Sequence, residues 1–349
     1  MSEAVGLSEE AVRLSVCIPT YNFGAYIGET LRSILPQVVE GVEVVVLDGG
    51  STDDTAAVVE SLRERCPSLR YERRAERGGI DRDMARTVDA ARGEYCWLFC
   101  ADDVMREGAI ARMLARLDSG CDVYLCGLTL CDLDMRPLGE HPVARIATEA
   151  QFDLGTRHER RRYFRRAKTT TAFFSFAGSL TFKRSRWEAI PLNEEFVGSL
   201  WAHVARLFQM IPGGLRLHYI PESYLFKRSG NDSFMDDGLV KRYAIATDGY
   251  DRLARAFFPK GSPEVRHIHR VLANEFPVPY LLELKFKSER ERSEDVAVLN
   301  RMAATAYSGW APRSVAYRLL YDHTPRAVYM GAQASYRAVK SILARRRSR

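Results

Sequence analysis

The sequence predicts an open α/β fold built on a mostly parallel sheet. Over the first 130 residues short apolar runs alternate with helical spacings, the runs have strand length, and each interval leaves room for one helix. A parallel sheet with crossover helices needs that alternation. Leu14-Ser15-Val16-Cys17-Ile18 reads as the first buried strand, ended by Pro19. Tyr26 to Val39 then places Ile27, Leu31, Ile34, Leu35 and Val38 at helical spacing. Val42 to Leu47 is a second strand, Asp53 to Arg65 a helix, Leu69 to Glu72 a third strand and Met84 to Ala91 a helix. Tyr95 to Phe99 makes a fourth strand, Glu107 to Leu117 a helix, and Asp122 to Leu130 a fifth strand.

Beyond Asp132 the pattern changes. Residues 133–170 are loop-rich and basic, and residues 171–182 are apolar and β-leaning. Pro191 to Met210 ends in a helix, and Leu215 to Phe226 is strand-like. From Val240 onward amphipathic helices dominate, broken by Pro277, Pro279, Pro312 and Pro325.

Composition narrows the class. The chain has 349 residues, of which 46% are hydrophobic and 28% charged; that length fits two domains, or one large domain with an appendage. Its apolar content excludes a disordered tail protein, and 24 Gly with 14 Pro exclude a collagen-like one. The uncharged, apolar-leaning run Thr169 to Phe182 is 14 residues, short of the ~18 of a membrane-spanning helix. Met1-Ser2-Glu3-Ala4 has neither the basic start nor the apolar core of a secretory signal. A soluble cytoplasmic protein is expected. The seven cysteines fit that compartment: their number is odd and no C-x-x-C pair exists, so they read as small core hydrophobes rather than a zinc cluster.

The net charge of +6 is uneven. Residues 301–349 carry ten Lys/Arg against the single acid Asp322. A second basic cluster holds Arg157, Arg160, Arg161, Arg162, Arg165, Arg166 and Lys168. Such regions on a near-neutral body point to an anionic partner: nucleic acid, a phospholipid surface or a pyrophosphate-bearing substrate. No reader motif accompanies them, which argues against nucleic acid.

Open α/β sheets bind ligands at the carboxyl ends of their strands. After the first strand stands Pro19-Thr20-Tyr21-Asn22, and after the second Asp48-Gly49-Gly50-Ser51-Thr52-Asp53-Asp54-Thr55. Small residues there admit a ligand close to the backbone, and the Asp/Ser/Thr group also suits a helix cap. After the fourth strand stands Cys100-Ala101-Asp102-Asp103. Two adjacent carboxylates repel unless a cation holds them, and hard oxygen ligands favour Mg²⁺ or Mn²⁺ bridged to phosphates; an exposed turn with a helix cap is the plain alternative. A dinucleotide fingerprint, a P-loop and a G-x-S-x-G elbow are all missing from the sequence.

Together with Gly93-Glu94-Tyr95, these segments resemble the hallmarks of family 2 glycosyltransferases of the GT-A fold, over about residues 12–235. Gly78-Gly79-Ile80-Asp81-Arg82-Asp83, Gly198-Ser199, His203-Val204 and Arg228-Ser229-Gly230-Asn231-Asp232-Ser233 resemble the abequosyltransferase-like branch, whose members add sugars to bacterial O-antigen repeat units. The resemblance implies a nucleotide-sugar-binding half (1–132), an acceptor-binding half (133–238) and a helical, basic C-terminal region (239–349). It implies transfer, with inversion, of one sugar from a UDP- or CDP-linked donor to a saccharide acceptor that is lipid-linked, with Mg²⁺ or Mn²⁺ as cofactor.

The roles follow from the same resemblance. Pro19, Thr20, Tyr21 and Asn22 would line the donor site, with Thr20 and Tyr21 flanking the base and Asp48 bonding its edge. Asp81 or Asp83 would lie near base and ribose, a solvated helix start being the plain alternative. Asp102 would face the ribose or donor sugar, and Asp103 would bind the metal that activates the leaving diphosphate. Arg228, Asn231 and Asp232 would close over the donor, Arg228 gripping the diphosphate. Many family members carry Gly-Glu-Asp ahead of a helix as the source of the base; here Gly198-Ser199-Leu200-Trp201-Ala202-His203 lacks both acids. His203 therefore becomes the candidate base, with Glu194, Glu195 and Asp232 as alternatives.

The basic C-terminus is expected to dock on the anionic cytoplasmic leaflet through Trp310, Tyr317, Leu319, Leu320, Tyr321 and Tyr329 beside Arg313, Arg318 and Arg326. Packing on the body or a homodimer contact is the alternative. A nucleotidyltransferase is disfavoured, because Pro19-Thr20-Tyr21-Asn22 offers no glycine-rich phosphate loop. A catalytically inactive sugar-nucleotide or membrane-surface binding module remains the competing class.

Overall fold

The computed structural model describes residues 11–231, 238–309 and 311–332. The chain divides into two units at residues 233–234. The first holds all ten strands: β1 Leu14–Thr20, β2 Val42–Asp48, β3 Leu69–Arg73, β4 Tyr95–Leu98, β5 Val104–Met105, β6 Val123–Cys131, β7 Pro137–Glu140, β8 Ala150–Asp153, β9 Leu180–Lys183 and β10 Arg216–Arg228. Its helices are α1 Gly24–Ile34, α2 Thr55–Arg63, α3 Ile80–Asp89, α4 Ala109–Leu117, α5 Arg157–Arg166, α6 Arg184–Glu188 and α7 Ala202–Met210.

All strands join one sheet, ordered β3-β2-β1-β4-β9-β6-β10-β5, with β7 added to β6 and β8 to β10. β9 and β10, from residues 133–238, share this sheet with the strands of residues 1–132. β3, β2, β1 and β4 run parallel, whereas β9 enters antiparallel between β4 and β6. Every residue of β1 and β2 is buried, as uninterrupted Val/Ile/Leu strands covered on both faces must be. β1 continues through Pro19 to Thr20, pairing Pro19 with Leu47; its ladder to β4 ends earlier, at Cys17 and Leu98. The core gathers Val16, Ile18, Ile27, Leu31, Val44, Val46, Trp97, Phe99 and Tyr224.

Two stretches differ from expectation. Residues 171–182 give only the short strand β9; two 3₁₀ turns, Thr170–Phe173 and Ala177–Ser179, take up most of the rest. Phe174 between them has a left-handed backbone, φ 70°, which interrupts any strand. The third helix begins at Ile80 rather than Met84, placing Asp81 and Asp83 in its first turn, both buried rather than solvated. The basic cluster 157–168 is largely α5, and part of its charge serves the fold: Arg162 pairs with Glu159 and covers the Phe152 ring, while Arg160 donates to the Leu154 and Gly155 carbonyls.

The second unit is helical: α8 Leu239–Phe257, α9 Pro263–Glu275, α10 Val278–Glu291, α11 Glu294–Ala306 and α12 Pro312–His323. Three of the aromatics expected at a membrane turn into this unit instead. Tyr321 is fully buried, Tyr317 packs on Tyr307 and Tyr329 on Phe286. Trp310 lies outside the described residues. Val315, Leu319, Leu320, Val328 and Met330 are exposed. No described helix is long and apolar enough to cross a membrane.

One glycine is required by close approach. Where β10 bulges between Ile220 and Ser223, a Cβ on Gly127 would stand 3.0 Å from the Glu222 carbonyl oxygen and nearer still to that of Pro221. Backbone atoms cannot move aside as a side chain does, so Gly127→Ala is expected to destabilise the protein by about 1–3 kcal/mol. Chemical denaturation checks this; an unchanged midpoint would show that the bulge yields.

Candidate active site

The strand order reverses at β1, which opens a crevice above the carboxyl ends of β1 and β4. On the β1–β2 side, Thr20 is buried and its Oγ1 has no hydrogen-bond partner. A buried hydroxyl left unpaired is costly, and this one lies at the strand end where a ligand would arrive. Tyr21 follows it with the Arg77 guanidinium 4.1 Å over its ring. Asp83 reaches the same place from α3, so close that a Cβ on Gly49 would stand 2.7 Å from its Oδ2. Burial pushes the Asp83 carboxyl up, against the opposing pull of Arg86 and Arg77.

The neighbouring polar residues serve the fold. Asp48 is fully buried, its Oδ1 accepting from the Ser51 N–H at 2.7 Å and its Oδ2 from the Tyr71 hydroxyl at 2.7 Å. Each oxygen thus takes one protein donor and keeps a second lone pair. Asn22, at φ 58°, joins the two loops: its N–H donates to Ser51 Oγ and its Oδ1 accepts from the Thr52 N–H. Pro19 is buried within β1.

The carboxylates stand on the β4 side. Asp102 is half-buried and its Oδ2 accepts from Asn231 Nδ2 at 3.0 Å. Asp103 is 1% exposed; its Oδ1 accepts from the Arg228 N–H at 2.9 Å, and its Oδ2 has no partner. Burial, then the charge of Asp102, hold the Asp103 carboxyl well above the usual carboxylate range; burial raises Asp102 as well. Thr30 of α1 donates to the Ala101 carbonyl, fixing the turn from behind. The guanidinium of Arg228, expected to grip a diphosphate, gives three of its five N–H donors to the Asp102 and Leu133 carbonyls and the Glu29 carboxylate. It positions the carboxylate turn instead. A divalent cation fits this donor set, since two adjacent carboxylates include a buried oxygen with no partner. The Cys100 thiol lies beside them, all three ligand atoms falling within 4.8 Å of one another.

Two further candidate residues lie at the loop before α7 and in its first turn. Asp81, assigned to base and ribose, is buried, and its Oδ2 accepts from the N–H groups of Gly198 (2.8 Å) and Leu200 (3.0 Å) while its Oδ1 accepts from that of Ala202 (3.1 Å). It anchors the loop and caps α7. His203, the candidate base, is also buried: its Nε2 stands 3.1 Å from the Phe174 carbonyl, and its Nδ1 is buried without a partner. Burial lowers its pKa. Glu194 is paired bidentately with Arg82 at the surface. Glu195 lies in the same exposed turn, and Asp232 falls outside the described residues.

Comparison with known proteins decides the family. Residues 15–188 match the model of glycosyl transferase family 2. The abequosyltransferase RfbV of Salmonella typhimurium is 31% identical over 273 residues, 76% of this chain and 82% of that protein. The chain is a family 2 glycosyltransferase. A Campylobacter jejuni GalNAc(5)-diNAcBac-PP-undecaprenol beta-1,3-glucosyltransferase is 26% identical over 196 residues, 55% of this chain and 59% of its own. Among solved structures, Staphylococcus aureus TarS residues 1–349 in complex with UDP superimposes with a TM-score of 0.58, at 18% identity over 93% of this chain and 91% of that one. The mannosyltransferase PcManGT of Pyrobaculum calidifontis, in complex with GDP-Man and Mn²⁺, gives 0.53 at 18% identity over 92% and 86%. These likenesses establish a GT-A fold for the glycosyltransferase, similar in sequence to enzymes of O-antigen and surface-polysaccharide synthesis.

Three residues of this glycosyltransferase's crevice were missed from sequence: Arg77, Glu29 and Cys100. Arg77 immediately precedes the Gly78-Gly79 pair, a cue for a ligand-facing loop; nothing local marks Glu29 as the partner of Arg228. Asp81→Ala would orphan three backbone N–H groups at once. It is expected to destabilise the enzyme by about 2–4 kcal/mol, read by chemical denaturation, with faster proteolysis within residues 198–202. Unchanged stability with weakened nucleotide binding would restore Asp81 to the donor site.

Proposed function

We propose that the enzyme transfers a single sugar, with inversion, from a nucleoside diphosphate donor to a saccharide acceptor. The donor's base and ribose lie against Thr20, Tyr21 and Asp83, and its diphosphate lies toward Asp102 and Asp103. The observation that carries this reading is the pair of unpartnered buried oxygens, Thr20 Oγ1 and Asp103 Oδ2, on the two strand ends that bound the crevice. Mg²⁺ or Mn²⁺ held by Asp102 and Asp103 would supply charge neutralisation of the leaving diphosphate. The protein's own part is positioning: Arg228 and Thr30 fix the carboxylate turn, Asn231 orients Asp102, and Tyr21 with Arg77 offers a flat face for a base. The UDP and GDP-Man complexes of the structural neighbours support a nucleotide-linked donor.

The test is thermal unfolding against a panel of nucleoside diphosphates with Mn²⁺, Mg²⁺ or EDTA. Ligand at 100 times its Kd stabilises the native state by about 2.7 kcal/mol, on the order of a few degrees for a domain of this size. A shift is expected with one diphosphate, dependent on metal and lost in Asp103→Asn, which keeps the acceptor for the Arg228 N–H. No shift with any nucleotide overturns the reading. A second reading, an inactive sugar-nucleotide binding module, is favoured by one observation: loop 198–202 carries no acid and His203 is buried. Donor binding without transfer or donor hydrolysis would select it.

We also propose a lipid-linked acceptor and peripheral association with the anionic cytoplasmic leaflet. The undecaprenol-linked substrate named for the Campylobacter relative supports the former. The latter rests on exposed Val315, Leu319, Leu320, Val328 and Met330 beside Arg313, Arg318 and Arg326, followed by six Lys/Arg and no acid in 333–349. Vesicles containing phosphatidylglycerol are expected to co-sediment with the protein at low salt. Leu319→Glu/Leu320→Glu should abolish this. Vesicle-independent dimerisation through the same residues would replace the membrane with a second copy of the chain.

A further inference from the structure

The carboxylate pair has a third neighbour with no assigned part. The ligand atoms of Cys100, Asp102 and Asp103 lie within 4.8 Å of one another. Atoms sharing one ion at about 2.0–2.5 Å are at most about 5 Å apart, so the trio is already spaced for a common cation. Asp103 adds an independent sign of a ligand: the residue is 1% exposed, one oxygen is committed to the Arg228 N–H, and the other accepts no hydrogen bond. Five of the seven cysteines are buried; Cys100 is half-buried at the mouth of the crevice.

We propose that Cys100 is a ligand of the cation held by Asp102 and Asp103, and that its sulfur turns the site away from Mg²⁺ toward Mn²⁺ and more thiophilic divalent ions. The inference rests on the reading of the carboxylates as a metal site. Mg²⁺ demands oxygen ligands in near-ideal octahedral geometry, whereas thiolate selects softer ions. On coordination the S–H bond breaks, the S–metal bond forms and the proton leaves to solvent; nothing is oxidised. A thiolate on the metal also carries a spectroscopic signature that carboxylates lack.

The experiment is a Co²⁺ titration of the full chain, with and without uridine diphosphate, combining near-ultraviolet absorption with equilibrium dialysis. A thiolate-to-cobalt charge-transfer band is expected. It should vanish in Cys100→Ser, persist in Cys66→Ser, which removes the other half-buried thiol, and be displaced by Mn²⁺. Cys100→Asp should shift the Mg²⁺-to-Mn²⁺ affinity ratio toward Mg²⁺ on the order of tenfold. Circular dichroism of each variant identifies any that fails to fold, and Cys100→Ala then takes its place. Carboxylate-dependent Co²⁺ binding with no sulfur band in either arm overturns the role of Cys100 and leaves the metal site standing. Absence of Co²⁺ binding altogether overturns both.

Discussion

Asp103 and Arg228 hold each other, and the geometry of the crevice depends on that hold. The carboxylate takes the backbone N–H of Arg228, while the Arg228 guanidinium reaches back to the carbonyl of Asp102, onward to that of Leu133 and across to Glu29 on α1. The end of β10 is thereby fixed to the turn after β4, although 125 residues separate the two in sequence. The arrangement also leaves a definite electrostatic residue. Arg228 and the nearby Lys227 draw both carboxyls down, yet burial and mutual repulsion still keep Asp103 raised. On the proposed function, a cation arriving with a diphosphate would meet that imbalance at a turn already fixed in place.

The fold was legible where local pattern decides it. Strands β1, β2 and β4 are apolar runs with one possible environment, and the helices between them are set by spacing alone. Legibility failed at residues 170–179, where apolar, aromatic residues imitate a strand but the backbone coils through 3₁₀ turns around a left-handed Phe174. The site shows the same division. The sequence motifs fall at the strand ends, with Thr20, Tyr21 and Asp83 on the β1–β2 side and Asp102 and Asp103 on the β4 side. What a motif cannot convey is which of its polar side chains are already engaged. Asp81 is engaged by N–H groups 117 to 121 residues away, Asp48 by Ser51 and Tyr71, and Arg228 by three acceptors. Each identity fits ligand binding as well as it fits anchoring, and only long-range pairing separates the two.

His203 illustrates the limit most clearly. One helical turn from the loop that carries acids in related enzymes, it has the right chemistry at the right distance along the chain. Helix α7 nevertheless points it inward, against the Phe174 carbonyl, because nearly every residue of that helix is buried. The loop before α7 is tied down by Asp81 rather than furnished with an acid of its own. In this glycosyltransferase the loop before α7 is thus shaped by an anchor borrowed from helix α3.

The antiparallel strand β9 has a consequence for how the chain is made. It slots between β4 and β6, pairing Cys96 and Trp97 on one side with Val123 and Tyr124 on the other through Phe182 and Thr181. The two flanking strands are synthesised first and have no ladder to each other until residues 180–183 emerge. A ribosome-bound chain of 132 residues therefore exposes two unpaired strand edges at what will become the middle of the sheet. Such edges are where nascent proteins associate wrongly, and the non-local closure that removes them is slow in general. β10, the last strand made, then pairs the far side of β6 and brings in β5, so the sheet is finished only after β9 has closed its centre.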